Sequence, residues 1–225
     1  MLKFEDLKIK KNKCIILACG PSLKEIDPNK IKKMSEEYLI VTIKQSYFQF
    51  QDVSDFHFFN CNNFIKYKRN KAKIICCSSV PLEYGKKTIW GDQEIDFFYQ
   101  ITNPKKFSEF NNLDNYFNKS NFGSFKGPGI MFEIVMPFVY NLGVKEIITI
   151  GWDSHDKEGY FEHFYDEEKR KKMKNPANLP YNGENTESIK NSKKLKSYFN
   201  KHKVNLKCLK SEKCFLDNSI ERCTI

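Results

Sequence analysis

Residues 14–19, Cys-Ile-Ile-Leu-Ala-Cys, carry no polar side chain, and Gly20-Pro21-Ser22 follows at once. A short, unbroken apolar run bounded by a glycine turn reads as a buried strand, without the alternation of a half-wet one. The pattern recurs at residues 38–43, 56–59, 73–77, 145–150 and 204–209, with a further short strand expected within 90–101. Helical stretches lie between these runs. Asp27 and Pro28 suit the N-cap and first position of a short helix ending at Met34. Residues 130–142 are apolar on nearly every face, which predicts a buried helix, kinked at Pro137 and capped by Gly143. Residues 186–202 place Ile189, Leu195, Tyr198 and Phe199 on one helical face.

Strands alternating with helices predict an α/β fold: a Rossmann-like, mostly parallel sheet with helices on both faces. Residues 105–125, rich in Asn and Phe, read as a loop with one or two short helices. Residues 156–186 are polar and charged and read as a lid segment over a site. No repeat and no linker divides the chain, so a single domain over 1–225 is expected.

The 225 residues include 20 Phe and 11 Tyr, which supply a sizeable core and exclude a disordered chain. The formal net charge is +10. That balance suits a phosphate-bearing ligand, an anionic membrane surface or a solvated lysine-rich face. The lysines are spread along the chain without a compact Arg-rich block, which disfavours nucleic acid. None of the eight cysteines forms a CxxC pair. Several lie in strand-like runs, so most are expected to be reduced and buried, in a reducing compartment. The mostly charged segment 1–13 is unlike a signal peptide, and no apolar run approaches the ~20 residues of a membrane span. The expected location is cytoplasmic, with any membrane contact peripheral, at the inner face.

Four segments are candidates for chemistry. The turn Gly20, Pro21 and Ser22 can offer backbone N–H groups to a phosphate or sugar, or be an ordinary tight turn. Gln45 and Ser46 follow the second strand and Asn60 ends the third, on the same sheet edge, where amides can read a base or ribose. Gly127 and Gly129 precede the buried helix, whose N-terminus favours an anionic group, although a structural turn fits equally. Asp153, His155, Tyr160 and His163 follow the strand at 145–150, where imidazole and carboxylate can do acid–base work. Their spacing matches no standard metal motif, so no metal is expected.

Residues 15–27, Ile-Ile-Leu-Ala-Cys-Gly-Pro-Ser-Leu-Lys-Glu-Ile-Asp, resemble the N-terminus of the small bacterial sialyltransferases that build lipooligosaccharide outer cores. Leu142-Gly-Val-Lys-Glu-Ile147, Gly151-Trp-Asp153 and the segment from Asn185 through Leu209 resemble further parts of that family in the same order. The resemblance implies a metal-independent glycosyltransferase that takes a CMP-linked acidic sugar and passes it to a glycan or glycolipid acceptor for a surface polysaccharide. It places Gly20, Pro21 and Ser22 against the nucleotide, Gln45 as a nucleotide-contacting amide and Asn60 on the ribose or phosphate side. Where that family carries its catalytic His, this chain reads Tyr181-Asn-Gly-Glu184. His163 is therefore the expected general base, with His155 and Tyr160 on the departing phosphate and Asp153 orienting a histidine or binding the sugar.

The same motifs are similar to those of motility accessory factors and of hydroxymethylpterin diphosphokinases of the MptE type, some with a His-Phe-Tyr segment like that at 163–165. The second relation implies pyrophosphate transfer from ATP with Mg held by Asp153, Asp156 and Asp166. A third expectation, suited to the missing His, is a non-catalytic protein that binds a nucleotide sugar or glycan. Oligomeric state stays open.

Overall fold

The computed structural model describes residues 3–60, 66–85, 93–121, 123–154, 163–164 and 182–225. Its centre is an eight-stranded sheet, built from β1 (Lys13–Leu17), β2 (Tyr38–Ile43), β3 (Phe56–Asn60), β4 (Lys73–Ser78), β5 (Phe97–Gln100), β8 (Glu146–Ile150), β9 (Asn205–Leu209) and β10 (Glu221–Cys223). The spatial order is β10-β9-β8-β1-β2-β3-β4-β5, and every neighbouring pair is parallel. The expected α/β, Rossmann-like sheet is thus present. β6 (Asn103–Lys106) and β7 (Phe125–Lys126) form a separate parallel pair that the sequence reading had assigned to a loop. β10 was also not anticipated: three residues with one apolar side chain leave no pattern.

The apolar runs are strands because both faces of the sheet are covered. Along β1, Cys14 and Ile16 point into one core, Ile15 and Leu17 into another. The first core takes Phe138 from α5 (Met136–Asn141) and Leu195 and Phe199 from α6 (Asn182–Lys201). Phe138 is its hub, with ring centroids 5.1 Å from Phe4, 5.1 Å from Phe56 and 5.2 Å from Phe58 in edge-to-face geometry. Burying one such ring contributes roughly 2–3 kcal/mol. The second core takes Ile31 from α1 (Pro28–Met34) and Phe50 from α2 (Ser46–Phe50). Asp27 caps α1 as expected, its carboxylate accepting from the Asn29 N–H at 2.9 Å. Two short helices, α3 (Leu82–Gly85) and α4 (Asp114–Phe117), complete the described set.

The buried helix expected over 130–142 is in two parts. A π-turn, Met131–Val135, precedes α5, and the Met136 N–H reaches the Met131 carbonyl. In that register position 137 would donate to the Phe132 carbonyl, but proline has no N–H. The Tyr116 hydroxyl donates to that carbonyl instead, at 2.8 Å. Pro137 therefore marks the change from π to α. Gly143, at φ 82°, ends the helix as a left-handed cap. The helix expected from residue 186 begins at 182, so the end of the anticipated lid is helical. Most of the segment 156–186 lies outside the described residues. Among the described residues no helix is long and apolar enough to cross a membrane.

Candidate functional site at the switch between β1 and β8

Because every strand of the main sheet runs the same way, the residues after β1, β2, β3, β8 and β9 share one edge. From β1 the chain builds outward through β2 to β5, then returns to place β8 on the other side of β1 and builds outward again. The crevice at such a reversal is where open α/β sheets bind ligands. Here it lies between the ends of β1 and β8, which are Gly20-Pro21-Ser22 and Gly151-Trp152-Asp153.

The two ends are clamped together. The Gly20 N–H donates to the Gly151 carbonyl at 2.7 Å, extending the β1–β8 ladder past the strands. The Ser22 hydroxyl donates to Asp153 Oδ1 at 2.5 Å and the Ser22 N–H to Asp153 Oδ2 at 2.8 Å. The Gly151 N–H donates to Ser22 Oγ at 3.0 Å. Gly20 is required by this crossing, since a Cβ there would stand 2.5 Å from Asp153 Oδ2. Gly151 is required twice, by its φ of 74° and by the Ala18 carbonyl, 2.7 Å from where its Cβ would be.

This clamp corrects two expectations. The turn was expected to present backbone N–H groups to a phosphate. Gly20 and Ser22 have spent theirs, Pro21 has none, and the Leu23 N–H turns back to the Gly20 carbonyl at 3.1 Å. Asp153 was expected to orient a histidine or bind a sugar, or under the kinase reading a metal. Its carboxylate instead is buried and holds Ser22 with both oxygens. Burial pushes the Asp153 carboxyl up to about 6, while the two bonds from Ser22 pull the other way.

The remaining predicted residues fall around this clamp. Lys44, in the left-handed region at φ 50°, turns the chain from β2 into α2. Gln45 stands at that bend, partly exposed, with its Oε1 3.7 Å from the Cys19 thiol. Ser46 corrects the sequence reading, because it is fully buried. Its hydroxyl lies 2.6 Å from the Leu17 carbonyl and 2.9 Å from that of Ile43, and accepts from the Ile43 N–H at 3.0 Å. It faces protein and binds the end of β2 to β1. Asn60 ends β3 beside Cys77 of β4, and its Oδ1 is buried with no hydrogen-bond partner among the described residues.

Gly127 and Gly129 stand at the entry to the π-turn. Gly129 has φ 76° and its carbonyl takes the Phe132 and Glu133 N–H groups. Gly127 lies so close to Phe132 that a Cβ would be 2.6 Å from the Phe132 Cβ. Phe132 packs edge-on against Trp152 at 5.5 Å, which brings this turn to the same end of the sheet as Asp153. The local geometry at both glycines is explained by this packing.

His163 is brought to the clamp. The N–H of the next residue, Phe164, donates to the Cys19 carbonyl at 2.9 Å, and Phe164 packs on the core below β1. A segment 144 positions along the chain thus docks one residue from Gly20. His155, Tyr160, Asp156 and Asp166 lie outside the described residues. Among the described residues no group of three or more His, Cys, Asp or Glu is arranged to hold a metal ion.

Sequence reasoning missed the loop after β9. The Phe215 N–H donates to the Asp153 carbonyl at 2.8 Å, and the Ser211 hydroxyl donates to Glu25 at 2.9 Å. Glu25 and residues 210–213 line an open surface groove beside the clamp. The signal was present: a charged Lys-Ser-Glu-Lys segment directly after a parallel strand must fall on the same edge as the other strand ends. No protein-family model matches this chain, and no curated protein or solved structure matches it either.

Proposed function

We propose that this protein is a glycosyltransferase that takes a nucleotide-activated sugar, with a CMP-linked acidic sugar as first candidate, at the crevice between β1 and β8. The observation that carries the reading is Asn60 Oδ1. It is a buried acceptor without a partner among the described residues, at a strand end on the edge where Gly20 and Gln45 also stand. An unpaired buried acceptor costs about 1–3 kcal/mol, and a ribose hydroxyl is a donor of the right kind to relieve it. With its own N–H groups spent, the Gly20–Ser22 turn contributes shape rather than donors. The charge on the phosphate then falls to side chains.

His163 is the proposed general base toward the acceptor hydroxyl, since Phe164 anchors its segment beside Gly20. His155 and Tyr160 are proposed to meet the leaving phosphate, where negative charge grows in the transition state. The resemblance to bacterial sialyltransferases and motility accessory factors supports the choice of sugar class, and a bacterial surface glycan or glycolipid is the proposed acceptor.

Calorimetric titration with CMP, GDP, UDP and ATP, each with EDTA and with excess magnesium, tests the reading. CMP binding that ignores EDTA supports it. Magnesium-dependent ATP binding without CMP binding replaces it with a pyrophosphokinase. Nucleotide-sugar binding without turnover on any acceptor leaves a binding protein.

A further inference from the structure

Beside the clamp, where the Cys214 thiol donates to the Trp152 carbonyl at 3.9 Å, three side chains meet that the chemistry proposed above does not use. Cys208 lies on β9 and Arg222 directly opposite it on β10. Cys214 lies in the loop that joins them. One nitrogen of the Arg222 guanidinium, Nη1, donates to the Cys208 sulfur and stands 2.9 Å from the Cys214 sulfur. The other, Nη2, donates to the Leu216 carbonyl at 2.8 Å and so fixes the plane of the group. A cation held between two sulfurs stabilises a thiolate more than a thiol, and the thiolate is the reactive form.

The pair is asymmetric. The neighbouring Cys214 side chain, together with the Arg222 charge, holds the Cys208 thiol below its ordinary value despite its burial. The neighbouring Cys208 side chain, with burial, pushes the Cys214 thiol up. Cys208 is 1% exposed while Cys214 is partly exposed, so a small oxidant approaches the pair from the Cys214 side. Of the other strand cysteines, Cys14, Cys76 and Cys77 are fully buried among apolar side chains, and Cys223, at the end of β10, is partly exposed.

We infer that Cys208 and Cys214 form a dithiol couple, activated by Arg222, that a hydroperoxide oxidises to a disulfide. The Cys208 sulfur attacks the O–O bond and takes up hydroxyl as a sulfenic acid, while the other oxygen leaves as water or an alcohol. The Cys214 sulfur then displaces the hydroxyl from Cys208, which departs as water with the Cys214 proton. The pair loses two electrons and the hydroperoxide gains them. The inference stands whether or not the neighbouring crevice binds a nucleotide.

The test uses the fully reduced full-length protein with equimolar hydrogen peroxide at neutral pH. The product is alkylated in denaturant and mapped by peptide mass spectrometry. The expected first product is an intrachain Cys208–Cys214 disulfide, with Cys14, Cys76 and Cys77 still alkylated. In Cys214→Ser the disulfide is lost and dimedone labels Cys208. Arg222→Gln is expected to slow Cys208 oxidation about tenfold by lowering its thiolate fraction. Because that variant removes three contacts and can unfold, Cys214→Ser with dimedone decides the matter by itself. Oxidation of Cys208 no faster than that of Cys76 and Cys77, or a disulfide from Cys208 to Cys223, would overturn the inference.

Discussion

A methyl group at position 20 would stand 2.5 Å from Asp153 Oδ2 and 2.6 Å from the Gly151 carbonyl oxygen. Both atoms are themselves held in the clamp and neither can retreat. Gly20→Ala is therefore expected to destabilise by about 1–3 kcal/mol, the usual cost of overpacking, with urea denaturation as the check. It should also weaken nucleotide binding, because the crevice itself is what moves. Ser22→Ala acts on the opposite partner. It removes the hydroxyl that Asp153 Oδ1 accepts from, at a cost of about 1–3 kcal/mol. Since the Ser22 bonds pull the Asp153 carboxyl down, their partial loss should raise it further above about 6, as read from its carboxyl carbon shift in an NMR titration. Asn60→Ala should not destabilise the free protein and should raise its stability by up to about 1–3 kcal/mol, since it removes a buried acceptor with no partner among the described residues, yet weaken ribonucleotide binding about tenfold.

Among the elements, the π-turn into α5 rests most clearly on a neighbour. Pro137 breaks the backbone ladder, and α4 supplies the missing donor through Tyr116. Tyr116→Phe keeps the ring in its aromatic cluster and removes only the hydroxyl. The buried Phe132 carbonyl then has no donor from α4, at an expected cost of about 1–3 kcal/mol by thermal or urea unfolding. A loss well under that range would show that the π-turn holds its shape without α4. The element reaches the site through Phe132, which packs on Trp152 beside Asp153.

For the molecule as a whole, two buried groups set opposing responses to pH. His57, on β3 with its ring against Tyr47 and Tyr67, is pushed down to about 3 by burial. As pH falls below 6.5 the unfolded chain takes up a proton that the folded chain refuses, so stability is lost between 6.5 and 3. Asp153 works the other way. Its folded value of about 6 lies above the usual 3.8, so its contribution is full below 3.8 and is lost as pH rises through about 6. The larger displacement is that of His57, but the two largely cancel over this range, so stability should rise from pH 4 to 6.5 by only about 1 kcal/mol. Denaturant midpoints across that range should show the rise in the wild type, and His57→Phe should flatten or reverse it.

The sequence by itself determined seven of the main sheet's eight strands, all but β10. Runs such as 14–19 and 73–77 lack a polar face, and only a strand covered on both sides can bury them, so strand positions and the α/β class follow from local pattern. The Asp27-Pro28 cap and the Gly143 stop are local for the same reason: each satisfies backbone groups within one turn of itself. What only the tertiary structure decided is which distant groups meet. Ser22 and Asp153 are 131 positions apart, and no local pattern says that each consumes the other's polar atoms. The turn that reads as a phosphate cradle is, once β8 lies beside β1, a donor set already occupied. Ser46 reads as a site residue until β1 supplies the Leu17 carbonyl for its hydroxyl. Cys208, Cys214 and Arg222 follow no spacing rule, and they meet because β10 pairs with β9 and the loop between them folds back. Local pattern reports how a segment buries its own surface, whereas a site is made by crossings, and those depend on strand order.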